Sequence, residues 1–287
     1  MVQDVHDQAG MVCQDCHVTK HHQMGKGFVV DTIGTPQLRN TMKKCVDCHS
    51  EQPHKKGEYP AELNDHQKRM ACETCHIPKT HMAQAEVNWI KGMDMEKMFN
   101  RYRWMLPIAR FLGMATPDRM NKDIQTLIGG YFKNRPPGFI PEYRWYRPNP
   151  EWKGIPRPFG SKEDPGSRIT PFNAVMTHFH DEGKDPRVNQ DPNGHYNGQV
   201  VPKAFVARAG GAGERDTTLE EIRAYDGGRY KQAIERHVPT YFQLVHSIAP
   251  AKEALGCRAC HTAKGGRLNY ARLGYSPEEI KSLQEER

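Results

Sequence analysis

The sequence predicts a mainly α-helical fold with long irregular loops and little β structure, built around an interior that side chains alone do not fill. Hydrophobic residues make up only 37% of the 287 residues, and the mean hydropathy is −0.82. A chain this polar has few apolar side chains with which to fill a core for its length. One segment has helical apolar periodicity and another is rich in proline and aromatic residues, so we expect helices and irregular extended stretches.

All cysteines of the chain belong to four copies of one motif, CxxCH. The cysteine pairs are Cys13 and Cys16, Cys45 and Cys48, Cys72 and Cys75, and Cys257 and Cys260. The histidines that follow them are His17, His49, His76 and His261. In this motif the two thiols bond to the haem vinyl groups and the histidine becomes the proximal iron ligand. Disulfides, zinc ribbons and thioredoxin-like sites need no such histidine. The sequence therefore predicts four covalently attached haems c, and with them a multihaem cytochrome c with a haem-filled core.

The net charge of +7 is explained by the same haems. Four haems carry about eight propionates, which would bring the net charge of the holoprotein to about −1. We therefore expect no nucleic-acid partner.

No stretch approaches the roughly 18 apolar residues of a transmembrane segment, and the first residues do not resemble a signal peptide. Because haem c is attached outside the cytoplasm, we expect a periplasmic or extracellular protein whose signal peptide is not present in this chain.

The motifs divide the chain into three segments that we expect to form one compact unit. Residues 1–82 carry three motifs, residues 83–245 carry no cysteine, and residues 246–287 carry the fourth motif. The middle segment would wrap the haems and supply walls for their pockets.

Local signals predict the elements of the middle segment in order. Apolar residues at three- and four-residue spacing, such as Met95, Met98 and Tyr102, predict a helix over 84–115. Residues 133–172 interleave prolines with aromatic residues, which predicts an ordered extended wrap over haem faces. A capping box at Thr217 and Glu220 predicts a helix over 218–236.

Two further helices are expected near the C-terminus. Pro239 would open a short helix that carries His246. Ser276 and Glu279 form a second capping box, which predicts a polar terminal helix on the surface.

Histidines outside the motifs exceed the number that the irons need. Of the 15 histidines, four lie in the motifs, so four distal ligands can be found among the rest, and we expect bis-His haems. The candidates are His6, His22, His54, His66 and His246. His54 follows His49 by only five residues, too few to reach around the same iron, so it would serve a neighbouring haem.

Taken together, these residues resemble the C-terminal half of the octahaem tetrathionate reductase-like cytochromes. The matching landmarks are residues 4–6, 13–22, 53–54, 63–66, 71–78, 141–146, 246–250 and 257–268. Family members carry eight haems, whereas this chain has motifs for four. The resemblance implies that the missing half holds the haem where substrate is reduced, and that this half delivers electrons.

The resemblance also implies that all five candidate histidines are distal ligands, one more than four irons require. We expect the extra one to be His6, ligating a haem on a separate subunit, on a neighbouring copy or on a missing N-terminal half.

These features are compatible with three functions. Only the second of them requires an iron with an unoccupied coordination position. The first is an electron-transfer module of a larger multihaem assembly, with no catalytic residue and with a redox protein or a further haem-bearing subunit as partner. The second is a reductase of tetrathionate, nitrite or hydroxylamine with one open haem. The third is a subunit of a polymeric cytochrome wire, a homo- or hetero-oligomer joined by a cross-chain histidine.

Overall fold

The computed structural model describes residues 4–20, 23–24, 42–80, 83–88, 132–148, 157–181 and 234–285. The α-helices in these ranges are α1 Val5–Gln8, α2 Cys13–Cys16, α3 Pro60–His66, α4 Cys72–His76 and α5 Pro277–Glu285. Single 3-10 turns cover Cys45–Asp47, Ala251–Glu253 and Cys257–Ala259. The strands are β1 Thr19–Lys20, β2 Gln23–Met24, β3 Gln84–Asn88, β4 Phe132–Asn134, β5 Glu142–Tyr146, β6 Arg168–Asp181 and β7 Ile234–Gln243. None of the helices in these ranges is long and apolar enough to cross a bilayer.

The prediction of a mainly α-helical fold with little β structure is wrong. A mixed five-stranded sheet has the order β4-β3-β6-β5, with β7 also paired to β6. The β3–β4 and β5–β6 pairs are antiparallel, whereas β3 and β6 run parallel. Residues 169–173 of β6 are all buried, so both faces are covered and the alternating pattern of a half-exposed strand is missing. Pro171 within β6 also made this strand harder to predict, because proline usually interrupts strands.

Two of the predicted helices are strands in the residues that the structure describes. Residues 84–88 of the predicted helix 84–115 form β3, and residues 89–115 lie outside the described ranges. Of the predicted helix 218–236 only residues 234–236 are described, and they begin β7. Pro239 likewise lies within β7, so it opens no helix, and His246 lies on the irregular segment that follows. The described part of the predicted wrap 133–172 includes β5 and the start of β6.

The residue contacts divide the chain into two units. The first comprises Met1–Ala83, Pro136–Ala174 and Tyr241–Arg287, and the second comprises Gln84–Arg135 and Val175–Thr240. All four CxxCH motifs belong to the first unit.

The first unit has a small apolar core beside the fourth motif. Its buried members are Tyr143, Trp145, Ile169, Cys260, Leu268, Tyr270 and Leu273. The Trp145 indole N–H donates a hydrogen bond to the Leu273 carbonyl at 2.8 Å, which satisfies the polar atom of a large buried side chain. Arg69 lies over the same indole ring, 4.4 Å from its centre. This core fixes β5 and β6 against the C-terminal segment.

The terminal helix α5 begins at the capping box that the sequence predicts. The Ser276 N–H donates to the Glu279 carboxylate at 2.7 Å, and the Glu279 N–H donates to the Ser276 hydroxyl at 3.2 Å. Although the helix is largely polar, Ile280 and Leu283 pack against the core of the first unit. The helix is therefore docked by one apolar edge.

Candidate functional site

Each CxxCH motif folds as one helical turn. In three of the motifs, the N–H of His17, His49 or His261 donates to the carbonyl of the first cysteine at 2.8 Å. The third motif is the whole of helix α4. A single turn brings the first cysteine and the histidine four residues later to the same side of the backbone. This geometry presents thiol and imidazole groups to one face, as attachment of a porphyrin requires.

The structure places one further histidine ring beside each motif histidine. The pairs, with the distances between their ring centres, are His17 and His246 at 6.0 Å, His49 and His6 at 6.1 Å, His76 and His54 at 6.3 Å, and His261 and His66 at 6.1 Å. Every motif histidine has a different partner, and every partner is one of the predicted distal ligands.

The spacing within these pairs fits a metal ion between the two rings. An imidazole nitrogen lies about 2 Å from a bound metal and about 1 Å from its own ring centre, so two opposed ligands place their ring centres about 6 Å apart. Ordinary aromatic packing also spans such distances. Aromatic packing alone, however, does not explain why each motif histidine lies beside a different histidine from outside the motifs. The spacing in each of the four pairs therefore fits two histidines that could hold one metal ion between them.

Hydrogen bonds orient three of these rings through Nδ1. The Nδ1 of His6 lies 2.9 Å from an Asp4 carboxylate oxygen, and that of His54 lies 3.2 Å from the Asn64 side-chain oxygen. In the fourth pair, the Nδ1 of His261 lies 2.8 Å from the Leu283 carbonyl of α5. An acceptor at Nδ1 fixes the tautomer that leaves Nε2 free to bind metal. The three rings are thus held in the form that an axial ligand needs.

Burial and neighbouring groups set the protonation states around the pairs. Burial lowers the pKa of His76 below its ordinary value, and the nearby His54 lowers it further, which favours the neutral form that binds iron. Burial alone would raise the pKa of Asp4, but hydrogen bonds from the Ile248 and His6 N–H groups outweigh it and lower the pKa. Asp4 is therefore an anion beside the His6 ring at neutral pH.

Three local features place the histidines that pair with the motif histidines. The N–H of Val5 donates to the Ile248 carbonyl and the N–H of Ile248 donates to Asp4, both at 2.8 Å, so α1 is tied to the segment after β7. His66 ends α3. Ser247, directly after His246, has a left-handed φ of 76°, which makes a sharp turn next to the imidazole.

Successive motifs lie next to one another in chain order. The N–H of Lys43, just before the second motif, donates to the Cys16 carbonyl at 3.0 Å. The side chains of Cys45 and Cys72 lie next to each other, so the second motif is beside the third. The N–H of Leu255, just before the fourth motif, donates to the Cys75 carbonyl at 3.0 Å.

The surroundings of the motifs suit a large group that is both apolar and acidic. Val12, Val18 and Val46 flank or lie within the first two motifs and are 60%, 44% and 41% exposed, which offers apolar surface to a porphyrin. The buried Tyr143 hydroxyl has no hydrogen-bond partner among the described residues. Burial raises its pKa to about 12, with Arg267 nearby opposing this effect. A neutral donor beside a guanidinium fits a haem propionate.

One ligand assignment from the sequence is not supported. His6 was expected to reach a haem of another chain, but its ring lies beside His49 of the same chain. The hydrogen bonds between α1 and Ile248 bring it there, and no local spacing reveals them. His22 lies outside the described residues. Asp4 and Asn64 were among the matching landmarks of the sequence, but the sequence assigned neither of them the role of orienting a histidine ring.

Comparison with known proteins gives the family. The family model for bacterial cytochrome c matches residues 118–264, just over half of the chain. The chain belongs to the bacterial cytochrome c family. Covalently bound haem c is therefore part of this cytochrome, and the predicted resemblance to multihaem cytochromes c is confirmed. Cytochromes c exchange electrons with redox partners.

A solved structure supports the same fold. An octahaem cytochrome c from Shewanella oneidensis matches with a TM-score of 0.56 and 20% identity, over 98% of this chain and 62% of that one. This cytochrome thus spans less than two thirds of the octahaem chain. No curated protein matches it.

Proposed function

We propose that this cytochrome carries four haems c, each bound by two histidines of the same chain, and that it transfers electrons. The observation that carries the proposal is the pairing of all four motif histidines with four different histidines at 6.0 to 6.3 Å. The proposed cysteine attachments are those of the four motifs. The proposed axial pairs are His17 with His246, His49 with His6, His76 with His54, and His261 with His66.

The bound haems supply one-electron chemistry, and the protein contributes their spacing and their potentials. Two histidine ligands per iron would leave no coordination position for a substrate, so the haems would supply electron transfer. Backbone hydrogen bonds from Lys43 to Cys16 and from Leu255 to Cys75, and the proximity of Cys45 to Cys72, place consecutive motifs side by side. Electrons would then pass along the haems in motif order. Bis-His ligation and a negative Asp4 favour low potentials.

We further propose that the cytochrome delivers electrons within a larger multihaem assembly. It spans 62% of the octahaem cytochrome c chain that it resembles in fold, which leaves room for a further haem-bearing partner. Attachment of haem c takes place outside the cytoplasm, so the working location would be the periplasm or the cell exterior.

Replacement of single distal histidines tests the ligand pairs. We expect His54→Ala and His66→Ala each to open one iron, so that the reduced holoprotein binds one carbon monoxide per chain, while the unaltered protein binds none. His178→Ala is the matched control, because His178 is outside the four pairs, and it should leave all haems closed. Carbon monoxide binding to the unaltered protein would instead indicate an open haem and favour the reductase alternative.

The haem count is a second, independent test. Mass spectrometry of the denatured holoprotein should show the polypeptide plus four haems. A mass with three haems or fewer would contradict the proposal, whatever the ligands of the remaining irons.

A further inference from the structure

A second cluster of metal-binding side chains lies in the second unit, which contains no cysteine. Glu86 on β3, His178 on β6 and His237 on β7 each place one donor atom within 4.8 Å of the other two. The three residues come from distant parts of the sequence and meet because β6 pairs with both β3 and β7. None of them belongs to the four histidine pairs of the first unit.

The geometry of this cluster differs from that of the haem pairs. The rings of His178 and His237 stack with centres 3.6 Å apart, too close for an iron or a porphyrin to lie between them. The Nε2 of His178 lies 2.9 Å from a Glu86 carboxylate oxygen. Ligands about 2 Å from a tetrahedral metal are about 3.3 Å from one another. The His178 and Glu86 donors are therefore near this separation, and the His237 donor lies within 4.8 Å of both. The two stacked rings would have to move apart for both imidazoles to bind one ion.

The donor set also selects the class of cation. Two imidazoles and one carboxylate suit zinc and the other first-row metals that prefer nitrogen, whereas calcium and magnesium prefer oxygen ligands. His178 is 17% exposed and Glu86 40% exposed, and His237 is exposed. A cation here would be held on its protein side by three residues and would be open to water on the other.

We propose that Glu86, His178 and His237 form a divalent metal site that takes zinc or a similar imidazole-preferring ion, independent of the haems. Bound metal would link β3, β6 and β7 through side chains. Because an ion that binds the folded chain stabilises it by mass action, occupancy would strengthen the sheet of the second unit. A plain hydrogen bond between His178 and Glu86, with the imidazoles merely packed together, is the alternative that the experiment must exclude.

Zinc binding to the chelator-treated holoprotein tests the site. Titration calorimetry with zinc alone should show one more zinc per chain in the parent than in His237→Ala or His178→Ala, or an affinity at least about 100-fold higher at one site. Glu86→Gln keeps the size of the side chain but removes its charge, and it should weaken binding by about 10-fold or more. Gln84→Ala on the same strand is the control and should bind as the parent does.

X-ray absorption at the zinc edge gives a second readout that iron does not disturb. The loaded parent should show two imidazole nitrogens in the first shell, and His237→Ala should show fewer. Unchanged haem absorption in each variant verifies that the chain is folded. Equal stoichiometry and affinity in the parent and both histidine variants would overturn the proposal, and so would zinc bound without imidazole.

Discussion

The charge of Asp4 should lower the reduction potential of the haem for which we propose His6 and His49 as ligands. Its carboxylate lies 2.9 Å from the His6 Nδ1, and hydrogen bonds keep it ionised at neutral pH. A negative charge stabilises the ferric iron more than the ferrous iron. Asp4→Asn removes the charge and retains an oxygen that can accept from the imidazole, so the potential of this haem should rise.

The size of the shift follows from the distance between the carboxylate and the iron. About 2 Å from iron to Nε2, about 2 Å across the ring and 2.9 Å to the carboxylate place the charge about 7 Å from the iron. At an effective dielectric constant of about 20 this charge contributes about 2.4 kcal/mol. For a one-electron couple that energy corresponds to about 100 mV. The Asp4 side chain is 21% exposed, and solvent screening reduces the expected shift to about 50–100 mV.

Spectroelectrochemical titration of the parent and the variant measures the shift. One of the four redox steps should move upward, and the other three should stay within about 20 mV. Asp7→Asn is the matched control, because Asp7 is an exposed residue of the same helix α1. The reasoning is refuted if no step moves in Asp4→Asn, or if Asp7→Asn produces a shift of the same size.

Three further predictions concern the stability of the first unit. Phe172→Ala should lower the free energy of unfolding by about 3–5 kcal/mol, measured by chemical denaturation, because Phe172 is only 2% exposed. Gly160→Ala should lower it by about 1–3 kcal/mol, because φ is +135° and a Cβ would lie 2.2 Å from the Ser167 hydroxyl oxygen. Hydrogen bonds from the Ser167 hydroxyl and the Gly166 N–H lower the pKa of Asp164 below 3.8. Its charge therefore stabilises the fold above about pH 4, and this contribution disappears as the pH falls through the folded pKa. Asp164→Asn should thus be less stable than the parent at pH 7, and the difference in stability should shrink as the pH falls below 3.8.

Each of these predictions has a control or an outcome that contradicts it. Met176, on the same strand as Phe172, is 36% exposed, and Met176→Ala should change stability by less than about 1 kcal/mol. Gly10 also has a positive φ, but no atom would lie within 4 Å of its Cβ, so Gly10→Ala should be the milder glycine variant. A stability difference between Asp164→Asn and the parent that persists unchanged at low pH would rule out the charge as its cause.

The sequence predicted the parts of the site that depend on local spacing. A CxxCH motif is a single helical turn, so its cysteines and its histidine are defined by adjacent residues. The partner of His54 was partly predictable, because His54 is too near His49 to reach around the same iron. The partner of His6 was not predictable, because it depends on hydrogen bonds between Asp4 and Ile248, 244 residues apart in the chain.

The sequence did not predict the β-sheet because part of its strand β6 is buried on both faces. Residues 169–173 of β6 are covered on both faces, so their sequence lacks period-two alternation. Pro171 in β6 and Pro239 in β7 argued further against strands, although both are accommodated in the sheet. His178 and His237 had no local signal at all, since only the pairing of β6 with β3 and β7 brings them to Glu86.

Near-infrared magnetic circular dichroism of the oxidised holoprotein tests the central claim most directly, because it counts haems by their axial ligands. The predicted result is four low-spin haems per chain, all with two histidine ligands and none with a methionine or an open position. A spectrum with a high-spin component, or with fewer than four bis-His haems per polypeptide, would contradict the assignment of the four histidine pairs.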